Sequence, residues 1–64
     1  MKVGDLVAFK PERNDVWADK RGIVVWRFPP PDEALWSMAY VNEHGVVEEL
    51  VIQKEDVYTV SRAQ

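Results

Sequence analysis

Every apolar run in this chain is short, and each is ended by a proline, a glycine or a cluster of polar turn residues. Runs of that length suit strands, whereas an amphipathic helix needs a longer stretch with a period of about 3.6 residues. VGDLVAFK (Val3–Lys10) holds Leu6, Val7, Ala8 and Phe9, and stops at Pro11, which has no N–H to give a ladder. GIVVWRF (Gly22–Phe28) is dense in β-branched and aromatic residues and is cut by Pro29–Pro31. LWSMAYVN (Leu35–Asn42) alternates, with Trp36, Met38 and Tyr40 on one face and Ser37, Ala39 and Val41 on the other.

The second half continues the pattern. NEHG (Asn42–Gly45) reads as a hairpin turn in which Gly45 is free to take a positive φ. VVEELVI (Val46–Ile52) is the next strand, with Val47 and Val51 facing opposite to Val46, Leu50 and Ile52. QKED (Gln53–Asp56) reads as one tight 3₁₀ turn, and VYTV (Val57–Val60) as the last strand. A helix competes over Pro31–Tyr40, because Asp32 and Glu33 suit a first turn after a proline.

Sixty-four residues allow one domain, spanning 1–64, and a domain near this size buries only about 60% of its unfolded surface. There is no cysteine, so neither a disulfide nor a thiolate metal site is available. A single histidine, His44, makes no metal site alone, and no metal or cofactor is expected. The core must come from packing, and 47% hydrophobic residues, with three tryptophans among them, can supply it. The formal charge is -3, with eight Lys and Arg scattered among eleven acids, which argues against the basic stripe of a general nucleic-acid binder. No run is long and apolar enough for a signal peptide or a membrane span, so a cytoplasmic protein is the expectation.

Five short strands, one long first loop and a terminal 3₁₀ turn predict an all-β fold closed into a small barrel, since closure removes sheet edges. The succession VGDLVAFKP, GIVV, a hairpin carrying VVEELVI, the KEDV turn and YTV resembles the SH3-like barrel of small accessory proteins. The resemblance covers nearly the whole chain through short motifs. Similar small barrels are frequent among bacteriophage gene products, cyanophage included. Photosystem I peripheral subunits and the variable chain of ferredoxin–thioredoxin reductase share the architecture. The resemblance implies a five-stranded SH3-like barrel that acts as an accessory subunit.

Catalysis by this chain is not expected. Its three glycines are isolated, so no phosphate-binding loop is present, and one turn histidine makes no Ser–His–Asp set. Glu48, Glu49, Glu55 and Asp56 read as a solvated acidic face rather than a general acid–base pair, for want of a pocket.

Binding is the stronger expectation. Trp17 lies in the first loop beside Glu12, Asp15 and Asp19, and in peptide-binding SH3 domains such a loop sets acids next to an aromatic groove. The chain lacks the ALYDY-type segment and paired tryptophans of those domains, so groove residues do not carry over. Tryptophan and tyrosine are enriched at interaction hot spots. Trp17, Trp36 and Tyr40 are therefore the expected protein contacts, with Glu12, Asp15 and Asp19 as electrostatic support. Trp26 and Trp36, which flank the prolines, are where a partner is first sought. Periodicity defines two faces of the Leu35–Asn42 strand but not which one turns inward. Lys10, Lys20, Arg21 and Arg27 form the alternative, a KOW-like nucleic-acid face, and homo-oligomerisation through the aromatic face is a further reading. In RFPPPDEALW (Arg27–Trp36) a linker is excluded, because neither side has chain enough for a second domain. The prolines read as a stiff connector or as a polyproline recognition segment.

Overall fold

The structure, a computed structural model, describes residues 1–12, 17–18 and 20–63. It is all-β, with β1 (Leu6–Phe9), β2 (Arg21–Arg27), β3 (Leu35–Val41), β4 (Val47–Gln53), a 3₁₀ turn (Lys54–Asp56) and β5 (Val57–Ser61). The strands form one antiparallel sheet in the order β4-β3-β2-β1-β5. This arrangement fits the SH3-like fold expected from the sequence. Closure is the point of difference: the hydrogen-bonded sheet stays open, with β4 and β5 as its two edges.

Local chemistry explains most boundaries. No helix forms over Pro31–Tyr40, because residues from Leu35 onward pair with both β2 and β4. The prolines occupy a turn instead, in which the Asp32 N–H donates to the Pro29 carbonyl at 2.9 Å. The β3–β4 hairpin turn is set by Asn42, whose side-chain oxygen accepts the N–H groups of His44 (2.8 Å) and Val46 (3.0 Å). Gly45 takes φ 77 there, as that turn needs. At the 3₁₀ turn, Asp56 accepts from the Gln53 N–H at 3.3 Å. β1 begins later than Val3, because the chain first turns: the Asp5 N–H donates to the Lys2 carbonyl at 3.1 Å.

The core consists of Val7, Phe9, Val24, Trp36, Met38, Ile52 and Val57, with Trp17, Tyr40 and Leu50 packed against it. The Trp36–Met38–Tyr40 face of β3 is therefore the inward one. Ile52 and Leu50 take the same side of β4, and Val47 and Val51 the other. Asp5 is buried and ties both ends of the chain together. One carboxylate oxygen accepts the Ala63 N–H at 2.7 Å and the other the Lys2 N–H at 2.9 Å.

Candidate interaction surfaces

A single irregularity in β2 governs the outward face of the sheet. Val24 pairs with Met38, but Trp26 pairs with Ser37 and Arg27 with Trp36, so Val25 is an extra residue in the ladder. An extra residue inverts the alternation of side chains beyond it. Val24 points into the core, and Trp26, two residues later, points outward and is 51% exposed. Its ring meets that of Phe28 edge-on, with centroids 4.7 Å apart at 61°. Arg27 is turned to the inward side by the same bulge and lies over the Trp36 ring, 4.9 Å from its centroid. The Arg27 Nε–H also donates to the Glu33 carbonyl at 3.3 Å.

The register places other apolar residues on the outward face with Trp26. Trp26, Ser37 and Val51 form one row, Ile23, Ala39 and Glu49 the next, and Val41 and Val47 the last. Val41, Val47 and Val51 are each more than half exposed, and Ile23 is 42% exposed. Ser37 is buried within this row and donates its hydroxyl hydrogen to Glu49 at 3.2 Å. The result is an apolar face with one carboxylate at its centre.

Trp17 and Tyr40 meet elsewhere, on the inward side. Their rings are 5.1 Å apart at 87°, and Trp17 also packs on Phe9 at 5.8 Å. A shallow groove of about 290 Å³ opens beside them, lined by Trp17, Lys20, Tyr40, Val41, Asn42 and Glu43. The Tyr40 hydroxyl donates to Glu48 at 2.8 Å, and that acceptor, with partial burial and the nearby charge, pushes the phenol above its ordinary value of 10.0.

The expected contacts are thus distributed among different environments. Trp17 and Tyr40 come together, each half-buried against the core. Trp36 is only 8% exposed, because its face of β3 turns inward and Arg27 closes over the ring, so it does not enter the function proposed below. Glu12 is exposed at the start of the first loop, and Asp15 and Asp19 lie outside the described residues. Of the alternative basic set, Lys10, Lys20 and Arg21 gather where β1 ends and β2 begins, whereas Arg27 is at the far end of β2. Among the described residues, no group of three or more His, Asp or Glu is arranged to hold a metal ion, and no helix is long and apolar enough to cross a membrane. Trp26 is the surface aromatic that sequence periodicity misplaces, since unbroken alternation would put it on the side of Val24. The clue in the sequence is the count of three tryptophans, more than so small a core encloses. No family model matches the chain, and no curated protein or solved structure matches it.

Proposed function

We propose that this chain is a non-enzymatic protein-interaction module, a small accessory protein that docks through the outward face of β2, β3 and β4. One observation carries the reading: the bulge at Val25 turns Trp26 out of the core and sets it, braced by Phe28, beside a row of exposed valines. A tryptophan held against a second ring brings a large apolar area to an interface at little entropic cost. Exposed apolar surface of this kind is the usual mark of a partner site. The SH3-like architecture, which small accessory proteins and subunits of larger assemblies share, agrees with an auxiliary role. A cysteine-free chain also suits a reducing cytosol. The nucleic-acid alternative has less support, because its four basic residues are split between the two ends of β2.

The test is capture from host lysate with the wild-type chain, Trp26→Ala and Val51→Lys as baits, with partners identified by mass spectrometry. Both positions are at least half exposed, so both variants are expected to keep the fold, which circular dichroism of each bait checks. A specific partner lost by about tenfold or more with both variants supports the reading. An unchanged set of partners overturns it.

A further inference from the structure

β4 is an open edge, and its chemistry is specific. It pairs with β3 over seven consecutive residues, Val47 to Gln53, with no register shift. The other edge, β5, is shorter and its pairing with β1 is interrupted by a register shift between Leu6 and Val7, which bends such an edge away from neighbours. β4 is therefore the regular edge of this sheet.

The hydrogen-bond phase of that edge follows from the hairpin. The Asn42 N–H donates to the Val46 carbonyl at 2.9 Å, so Asn42 and Val46 are a hydrogen-bonded pair. Bonded and non-bonded pairs alternate along an antiparallel ladder. Glu48, Leu50 and Ile52 accordingly exchange bonds with β3, and the N–H and C=O groups of Val47, Glu49 and Val51 point away from the sheet. The Gln53 N–H, next in the outward set, is already taken by Asp56, which confirms the phase and marks where the free edge stops.

Two carboxylates flank these groups, one on each face. Glu48 is held by the Tyr40 hydroxyl and Glu49 by the Ser37 hydroxyl, both reaching across from β3. Among the described residues no lysine or arginine forms an ion pair with either, so both negative charges are presented uncompensated beside the edge. The remaining edge side chains, Val47, Leu50, Val51 and Ile52, are apolar.

We propose that the β4 edge binds an extended basic segment of a partner protein, which adds as a sixth, antiparallel strand. Opposite charges facing each other across a ladder stabilise it, and like charges opposite destabilise it. An incoming segment running antiparallel meets Ile52, Val51, Leu50, Glu49, Glu48 and Val47 in that order. Its matching pattern is three apolar residues, two lysines or arginines, then one apolar residue. A second copy of this chain fits less well. Paired about Leu50, it sets each Glu49 opposite a valine and diagonal to the other Glu49, and two chains of net charge -3 repel. The edge shares Val47, Glu49 and Val51 with the outward face, but strand addition uses their backbone groups and the two carboxylates rather than Trp26. This inference therefore stands whether or not Trp26 docks a partner.

The experiment uses the full chain, isotopically labelled, with two synthetic peptides: Val-Ile-Val-Lys-Lys-Val and the same sequence with Glu-Glu in place of Lys-Lys, each flanked by solubilising glycines and serines. Amide hydrogen exchange is read residue by residue. The expected result is slowed exchange at Val47, Glu49 and Val51 with the lysine peptide only. Glu48→Gln and Glu49→Gln should each weaken binding by about twofold to fivefold, and added salt should weaken it further. Trp26→Ala should leave this protection unchanged, which separates strand addition at the edge from docking through Trp26. Protection by both peptides alike, or by neither, overturns the proposal. So does concentration-dependent protection of the same three amides in the protein alone, which would assign the edge to a second copy.

Discussion

Tyr40 on β3 donates its hydroxyl hydrogen to the Glu48 carboxylate directly across the ladder, at 2.8 Å, while its ring packs edge-on against Trp17. One residue thus joins the first loop, the core and the open edge of the sheet.

That bond has a pH consequence. Glu48 as acceptor, followed by partial burial and the nearby charge, raises the Tyr40 phenol above 10.0 in the folded state. Folding then favours the protonated phenol, so the contribution is complete below the unfolded value and is lost as pH rises through the folded one. Denaturant titrations at increasing alkaline pH should show stability falling over that range, and Tyr40→Phe should flatten the fall. Identical alkaline profiles for the two proteins would refute the assignment.

Asp5 behaves in the opposite sense. The Ala63 N–H, then the Lys2 N–H, hold its carboxyl below the ordinary 3.8. Its contribution is present above the unfolded value and disappears as pH falls through the lowered one. Asp5→Ala should reduce stability at neutral pH, weaken the acid dependence, and speed amide exchange at Lys2 and Ala63. Unaltered exchange at those two amides would count against this role.

Gly22 and Met38 should be coupled. A Cβ at Gly22 would lie 2.5 Å from the Ala39 carbonyl oxygen, 2.6 Å from Met38 Cγ and 2.9 Å from its Sδ. Gly22→Ala is expected to cost about 1–3 kcal/mol through overpacking, and Met38→Ala about 2–5 kcal/mol through the cavity it leaves. The double variant should be less destabilised than the sum, yet not rescued fully, because the Ala39 backbone cannot withdraw as a side chain can. Strict additivity in a denaturant-based cycle would contradict this packing.

Gly45 isolates backbone strain from packing. It has φ 77, and nothing lies within 4 Å of a Cβ placed there. Gly45→Ala should cost about 1–2 kcal/mol from the left-handed conformation alone, and Gly45→Asn less. Equal stability of all three proteins, measured by thermal unfolding, would show that the turn adopts another geometry.

Much of the fold was legible locally. The β-branched and aromatic density of GIVVWRF, the stop at Pro29–Pro31, the alternation of LWSMAYVN and the Asn and Gly of the NEHG turn each act within a few residues. Their strands and turn appear close to where the sequence predicts them. The candidate surfaces were much less legible. Trp36 carries the same aromatic signal as Trp26, yet the first is in the core and the second is outside.

The sequence by itself determined the all-β class, the strand succession, the hairpin turn and the need for a packed rather than cross-linked core. Backbone propensity and turn chemistry are short-range terms, and they are written in consecutive residues. Only the tertiary structure decided which face of β3 turns inward, that Val25 bulges and reverses Trp26 and Arg27, and that β4 remains an unpaired edge. Those outcomes depend on register between strands distant in the chain, where one extra residue moves every following side chain to the other side. Periodicity within one strand carries no record of that partner.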